Sequence, residues 1–478
     1  MNYEINPIYH EIDFVVPIHR FKINFSYSKE RGIRSFIREF ILRLVHISPM
    51  KPTNIAIFFG LSNIEMSEAI SDLINRGDLE LSNDGELALT HTSKSYFQEL
   101  GDSPILPTII DNHVSLWYEL NSFNCIRKKY DESGWDSCIE LSIDNKVVSN
   151  SPKNIKSIFQ KNFYKYFEEN RILSNESDRI GKQPNIYSVG EINRISRAPL
   201  RLTTQFQIDQ DGRPVERKDS DLFSDPSVIH ELITEHICKI QKTDNFEDIV
   251  IDAVTTFDDD LTLDLVKPGS IDVEGYILAI LLSISNNEAT IPLIGPIYSE
   301  NNWNRVMENI SNITSKVEKN HKPIELIWIA PSDPFWGKSY RLNGCISELL
   351  RNEKTSGKKS QRIYNSNIYI QIEKHYDRGV INDYKREFKD FKSGIYGLIE
   401  GFLNGNVEII LIPGKFVTVV YHFSMPDLLP VTIPTGFTST NKNKIKLVEN
   451  VVDRYIGLIE ESNNENNLGL ISTLSVRS

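Results

Sequence analysis

The sequence predicts a mixed α/β protein, of the α+β kind, with three consecutive domains. Residues 1–100 contain strands followed by the order helix, helix, turn, helix and hairpin. Residues 286–478 contain apolar runs of the length of buried strands, separated by amphipathic helices. Residues 101–285, which lie between them, mix strand and helix patterns. A chain of 478 residues also exceeds what one typical hydrophobic core supports, so about three domains are expected.

Composition and charge narrow the class of protein. Hydrophobic residues make up 40% of the chain and charged residues 25%, which is typical of a folded globular protein. The net charge of −12 argues against binding nucleic acid over a broad surface, although a local basic patch is compatible with it. The four cysteines form no CxxC pair and the N-terminus lacks the pattern of a secretory signal, so a cytoplasmic protein is predicted.

The longest apolar run, residues 275–284, is about half the length needed to cross a membrane. We therefore expect a buried helix there and no membrane partner. The heavy use of Asn, Ile, Lys and Ser suggests an AT-rich, bacterial genome. Spacing argues against a zinc site, because the two histidines of HELITEH, residues 230–236, lie six positions apart instead of the four of HExxH. We predict no metal and no cofactor.

Local signals place three helices and a hairpin within residues 30–98. Pro52 opens the second helix, and Ser62 with Glu65 forms a capping box at the start of the third. A hairpin follows over residues 78–89. This order resembles the winged helix-turn-helix superfamily. The resemblance implies the winged-helix fold, in which the third helix is the DNA-reading element.

The charge of this region argues against standard DNA reading. Between residues 62 and 89 there are seven acidic residues and one basic residue, Arg76. A phosphate backbone would repel that face, whereas DNA binding by this fold depends on neutralising phosphates. We therefore expect the region to be a protein-interaction or scaffolding module.

Two basic stretches are the candidates for any contact with nucleic acid. Residues 29–51 carry six basic and two acidic side chains, with three of the arginines on one helical face. Residues 338–362 carry seven basic and two acidic side chains, beside the aromatic rings of Trp336 and Tyr340. The alternative is that both stretches are solvated surfaces within a protein assembly. The predicted nucleic-acid-binding residues are Arg31, Arg34, Arg38, Lys338, Arg341, Lys358, Lys359 and Arg362.

Two acidic groups leave a metal-dependent nuclease open as an alternative. Asp144 and Lys146 follow Glu140 on a predicted strand, an arrangement vaguely similar to the acid and lysine pairing of such nucleases. Carboxylates such as those of Asp258 and Asp260 can hold magnesium at a strand end, but turn formation and helix capping explain them better. Convergence of both groups in one pocket would favour the nuclease.

The last third of the chain contains two similar strand, helix and strand patterns. The first spans residues 290–331, and the second spans residues 366–414 with its helix at 383–403. Together with GFTSTN at residues 436–441, this apparent duplication resembles the two-lobed phospholipase D fold. The resemblance implies a covalent phosphohistidine mechanism that uses a His-x-Lys motif.

The chain departs from that motif. It contains no His-x-Lys, and with Asp427 in the aspartate position, His422 stands in the lysine position and Val420 in the histidine position. Because the nucleophile is missing, the resemblance implies a non-catalytic relative. We expect His422, Asp427 and Ser439 to be buried in a core instead of binding phosphate.

The favoured function is a non-enzymatic, nucleic-acid-associated or scaffolding component of a larger cytoplasmic machine with one or more protein partners. Analogy with multidomain winged-helix proteins suggests a bacterial phage-defence operon. The alternatives are a metal-dependent nuclease and a transcriptional regulator with an atypical DNA pose, both of which have nucleic acid as a partner.

Overall fold

The protein forms two compact units, each assembled from separated parts of the chain. The sheet unit comprises Met1–Ile18, Ile126–Ile143 and Ala198–Ser478, and the inserted unit comprises His19–Cys125 and Asp144–Arg197. The predicted boundaries near residues 100 and 285 stay predictions. The computed structural model describes residues 6–32, 36–99, 102–126, 137–172, 184–217, 223, 226–241, 247–267, 269–315, 322–350, 353–356, 359–372, 378–461 and 469–474.

The described residues form a mixed α/β fold, as predicted. Its strands and helices, in chain order, are β1 (Ile8–Gly32), α1 (Phe36–Ile47), α2 (Pro52–Phe59), α3 (Asn63–Asn75), β2 (Leu79–Leu81), β3 (Leu87–Leu89), α4 (His91–Lys94), β4 (Ile105–Glu119), β5 (Ile139–Glu140), α5 (Asn145–Lys161), α6 (Phe163–Glu168), β6 (Asn185–Gln207), α7 (Ser227–Ile240), α8 (Glu247–Thr256), α9 (Asp260–Leu265), β7 (Val266–Lys267), β8 (Ser270–Ile271), α10 (Val273–Ser285), β9 (Thr290–Ile294), α11 (Glu300–Ser315), β10 (Ile324–Ile329), α12 (Tyr340–Leu350), β11 (Glu353–Ser356), β12 (Lys359–Arg362), β13 (Tyr364–Ile372), α13 (Arg378–Glu387), β14 (Ile395–Ile399), β15 (Val407–Ile412), β16 (Phe416–Phe423), β17 (Ile433–Ser439) and α14 (Lys442–Glu461).

Helices α1, α2 and α3 and the hairpin of β2 and β3 occur in the predicted order. Pro52 is the first residue of α2, and Gly60 ends that helix with a φ of 68°, which glycine adopts without a steric penalty. Ser62 and Glu65 form the predicted capping box at the start of α3. The helices and the hairpin share one hydrophobic core that includes Leu87. The resemblance to the winged-helix superfamily stays a prediction.

A seven-stranded mixed sheet of order β14-β13-β10-β15-β16-β17-β9 organises the sheet unit. β14, β13 and β10 pair in parallel. The pairs that follow in the sheet, from β10 with β15 to β17 with β9, are all antiparallel. Every residue of β15 and β16 is buried, which is typical of central strands with both faces covered. The core around these strands includes Trp328, Ile410 and Val420.

The second predicted strand, helix and strand pattern is wrong in its helix. α13 ends at Glu387, and the following residues 395–399 form β14 instead of continuing the helix. Phe388 and Phe391 pack into the core directly after α13, and Gly394 turns the chain with a φ of 85°. Periodicity alone does not distinguish helix from strand in so short an apolar run, and pairing with β13 decides it. β10 and β15, whose sequences match, are antiparallel neighbours.

The predicted strand over residues 139–148 is also wrong. β5 is limited to Ile139–Glu140, and a helix begins soon after it. The carboxylate of Asp144 accepts a hydrogen bond from the backbone N–H of Lys146 (2.8 Å) and thereby caps α5. Asp144 and Lys146 therefore lie at a helix start instead of on a strand.

Helix α10 contains the longest apolar run, but the expectation that it is buried is wrong. Tyr276 faces the core, whereas the side chains of Leu278, Leu281, Leu282 and Ile284 are between 47% and 59% exposed. One face of α10 packs against β9, whereas these four apolar side chains are largely uncovered within the described residues. No helix in that part of the chain is both long and apolar enough to cross a membrane.

Candidate functional site

The structure describes three of the eight side chains predicted to bind nucleic acid, and each has a partner within the chain. Lys338 donates to the hydroxyl of Ser137 (3.3 Å). Arg341 binds the carboxylates of Glu11 (3.1 Å) and Glu300 (3.2 Å). The side chains that lie outside the described part are those of Arg31, Arg34, Lys358, Lys359 and Arg362.

Arg38, the third described residue, binds a buried carboxylate of its own unit. Its Nε and Nη2 atoms donate to the two carboxylate oxygens of Asp78, at 2.7 Å and 3.0 Å. Asp78 is buried, so this bidentate pair satisfies a carboxylate that water does not reach. Moving Arg38 to a phosphate would leave that carboxylate buried without its cation.

The inserted unit also exposes apolar side chains at the turn between α2 and α3. Ile57, Phe58 and Ile64 are 80%, 68% and 74% exposed, and we call these three residues the apolar corner. Glu65 and Glu68, on the first turns of α3, are exposed beside it. The corner is therefore an apolar patch bordered by negative charge.

A histidine in the sheet unit lies between two carboxylates. His422 of β16 contacts Asp333, in the loop after β10, through Nδ1 and Oδ2 (2.8 Å). Its Nε2 contacts Oε2 of Glu408, on β15 (3.3 Å). Asp333 also accepts hydrogen bonds from the hydroxyl of Thr432 (2.7 Å) and the backbone N–H of Phe335 (3.0 Å). We call His422, Asp333 and Glu408 the histidine cluster.

Two tryptophans complete the partners of Glu408. The indole N–H groups of Trp328 and Trp336 both donate to its Oε1 atom, each at 2.9 Å. Both oxygens of this fully buried carboxylate are therefore engaged. A buried charge needs such partners, because water no longer stabilises it.

The electrostatics of the histidine cluster favour an imidazolium. Burial opposes the charge on His422, but hydrogen bonds and attraction from Asp333 and Glu408 outweigh it and raise the pKa of His422 to about 9. Burial likewise opposes the charge on Asp333, yet the contacts with His422 and Thr432 hold the pKa of Asp333 below its usual value. At neutral pH His422 and Asp333 are therefore charged and hydrogen-bonded to each other.

The histidine cluster has little capacity to act on a substrate. Both ring nitrogens of His422 already bind carboxylates, so neither is free to take up a proton from a bound molecule. The cavity beside it, lined by Ser332, Asn406 and Ser424 among others, holds only about 10 Å³. That volume is about the size of one water site. The cluster therefore connects β10, β15 and β16, and although Asp333 also lines a separate cavity of about 310 Å³, both ring nitrogens of His422 are engaged away from a ligand.

Of the acidic candidates, Asp258 is exposed in the turn before α9 and Asp260 is exposed in the first turn of that helix. Asp259, next to Asp258 and Asp260, caps α9 by accepting from the backbone N–H (3.3 Å) and hydroxyl (2.7 Å) of Thr262. Within the described residues, no group of three or more His, Cys, Asp or Glu side chains is placed to hold a metal ion.

The expected burial of the three phospholipase D-like positions is confirmed for two of them. His422 and Ser439 are buried. Asp427 is exposed, so that expectation was wrong, because the residue lies in the turn between β16 and β17 instead of on a central strand.

The carboxylates of the histidine cluster were missed because sheet pairing, and not a sequence motif, brings them to His422. Asp333 and His422 are 89 positions apart. A signal was available in VEIILI and VVYHF, where Glu408 and His422 interrupt apolar strands, since a charge in such a strand requires a buried partner. Neither a protein-family model nor a curated protein matches this chain.

Proposed function

We propose that this protein is a non-enzymatic component of a larger assembly, and that its helix and hairpin region, residues 36–97, docks another protein chain. The single observation that carries the proposal is the apolar corner. Its partner would be a protein surface that combines apolar side chains with basic ones. We further propose, by analogy alone, that the assembly works in the bacterial cytoplasm in a setting such as phage defence.

The exposed apolar area supports docking to a protein. Burying one large apolar side chain contributes about 1.5–3 kcal/mol, so Ile57, Phe58 and Ile64 together offer several kcal/mol to a partner that covers them. Clustered exposed apolar residues with a charged border are typical of protein interaction sites. A phosphate backbone is charged and would not bury these apolar side chains.

The charge beside the corner supports a basic partner. Glu65 and Glu68 would attract Lys or Arg side chains and would repel phosphate. Arg38, the only described member of the basic face predicted on α1, is held by Asp78. Both features favour a protein over DNA as the occupant of this surface.

A cross-linking experiment tests the proposal. A photoreactive amino acid at position 57 or 64, introduced in the protein's native cells, should capture a protein whose cross-linked segment is rich in Lys or Arg. The matched control is the same substitution at Ile195, which is also apolar and exposed in the inserted unit. This control should not cross-link to the protein that is captured at position 57 or 64.

Affinity then decides the role of the corner. The double change Ile57→Ser with Phe58→Ser should weaken binding of the purified partner by about 100-fold or more, since it removes about 3 kcal/mol or more of apolar burial. Ile195→Ser should leave the affinity unchanged. Absence of any cross-linked protein, or an affinity within twofold of wild type for the double variant, would contradict the proposal.

A further inference from the structure

The sheet unit contains a cleft of about 360 Å³ that lies apart from the small cavity of the histidine cluster. This volume is within the range of small-molecule sites. Ile8, Ile280 and Ile294 supply apolar walls, and most of the other lining residues are polar. Three features of these polar residues point to the kind of ligand the cleft accepts.

The first feature is the start of helix α11, which lines the cleft. The backbone N–H groups of Glu300, Asn301 and Asn302 have no acceptor among the described residues. The side chain of Asn302 instead donates to the carbonyl oxygens of Ile294 (3.0 Å), Gly295 (3.1 Å) and Pro296 (3.1 Å). These bonds fix the loop before the helix and leave the N–H groups of the first turn free, an arrangement that favours an anion.

The second feature is Arg305, one turn further along α11. Its side chain is half-buried and makes no hydrogen bond or ion pair with any described residue. Burial lowers the pKa of Arg305, and the attraction of Glu308 only partly offsets it, so the charge has lost hydration that no hydrogen bond from a described residue replaces. The acidic residues at the rim, Glu11 and Glu300, both bind Arg341. Arg305 is therefore the guanidinium in the described lining that is left for a ligand.

The third feature is His10, on β1. It also lines the cleft and is 1% exposed, and neither ring nitrogen makes a well-formed hydrogen bond within the described chain, since the backbone of Glu11 supplies only a weak contact. Buried polar side chains are nearly always paired, because an unpaired one costs free energy. Burial lowers the pKa of His10 to about 4, so the neutral ring offers one donor and one acceptor at neutral pH.

We propose that this cleft binds a small molecule in which an oxyanion group, a phosphate or a carboxylate, is attached to an apolar body. The oxyanion binds the free N–H groups of α11 and the guanidinium of Arg305. The apolar body packs against Ile8, Ile280 and Ile294, and His10 bonds to a polar atom of the ligand. The site is independent of the apolar corner and of the protein partner proposed above.

Inorganic phosphate tests the oxyanion part of the site. The ³¹P transverse relaxation of phosphate should increase in the presence of the full chain, and Arg305→Gln should reduce this increase at least fivefold. Arg213→Gln is the matched control, because Arg213 is an exposed arginine of the same unit outside the cleft. Arg305→Lys, which keeps the charge, should retain part of the effect, and an unchanged unfolding midpoint should show that each variant is folded.

Phenyl phosphate and benzoate test the apolar part and separate the two oxyanions. In saturation-transfer NMR, the aromatic probe that carries the preferred oxyanion should bind roughly tenfold more tightly than inorganic phosphate, because its ring is buried in the cleft. Ile280→Ser should remove this gain and leave phosphate binding intact. The proposal is overturned if two results occur together. Phosphate would relax equally with wild type and with Arg305→Gln, and both aromatic probes would bind Arg305→Gln as tightly as wild type. No binding of any of the three probes also overturns it.

Discussion

The two buried histidines of the sheet unit predict a stability maximum near pH 6.5. His422 has its pKa raised from 6.5 to about 9, so between these values the folded chain holds a proton that the unfolded chain has lost. Its contribution is fully present below pH 6.5 and is lost as the pH rises through 9. His10 has its pKa lowered from 6.5 to about 4, so between these values the unfolded chain binds a proton that the folded chain does not bind. Stability therefore also falls between pH 6.5 and pH 4.

Each limb of this profile has a magnitude that follows from the shift. One pKa unit corresponds to about 1.4 kcal/mol, so each histidine changes the unfolding free energy by about 3 kcal/mol across its window. Asp333, with its lowered pKa, contributes stability that is lost only as the pH falls below the usual aspartate range. The two histidine limbs are therefore separable from it.

Urea unfolding at a series of pH values, followed by tryptophan fluorescence, measures the profile. Trp303, Trp328 and Trp336 all lie in the core of the sheet unit, so the signal reports mainly on that unit. His422→Gln should flatten the limb between pH 6.5 and 9, and His10→Leu should flatten the limb between pH 4 and 6.5.

The control is His113→Gln, which changes an exposed histidine of the inserted unit and should keep both limbs. Two results would refute the reasoning. One is a wild-type unfolding free energy that stays constant between pH 6.5 and 9. The other is a slope in that window that persists in His422→Gln.

Two further predictions concern the inserted unit. Changing Glu80→Lys with Glu86→Lys should leave any duplex DNA binding unchanged or make it tighter, because it removes negative charge from the hairpin; a loss of affinity in fluorescence anisotropy, with the variant folded, would count against this. Arg38→Ala should lower the unfolding free energy of the unit by about 3 kcal/mol, because it strands the buried carboxylate of Asp78. Arg76→Ala, which breaks an exposed pair, should cost less than about 0.5 kcal/mol in the same chemical unfolding experiment, and equal losses would refute the distinction.

The elements that the sequence predicted well are those specified by residues a few positions apart. Pro52, Gly60 and the pair of Ser62 and Glu65 act within one turn of chain, so the borders of α2 and α3 followed from them directly. The failures arise where distant contacts decide. Residues 395–399 form a strand because β13 lies beside them, and no local signal reports that neighbour.

Composition alone also did not predict which residues of α10 are buried. The run in α10 is apolar on all sides, yet only the face toward β9 and the core is covered. Hydrophobicity indicates which residues can be buried, whereas the arrangement of neighbouring elements determines which of them are.

The candidate sites show the same division. His422 was noticed in the sequence, but Asp333 and Glu408 reach it only because β10, β15 and β16 are adjacent in the sheet. His10 is far from the rest of the cleft in sequence, and no spacing rule connects it with Arg305. Sites assembled from several strands and loops leave no compact motif to find.

The order of strands in the large sheet has a consequence for synthesis on the ribosome. β9 pairs with β17, and the hydroxyls of Thr290 and Ser439 that join their ends are 149 positions apart. The inserted unit ends at Arg197 and emerges well before β17 exists. At translation rates of about 5–20 residues per second, the nascent β9 waits roughly 7 to 30 s for its partner. During that interval its apolar side chains are available to chaperones, and the part of β1 in the inserted unit is in the same position, because Ser28 bonds to Asn185, 157 positions later.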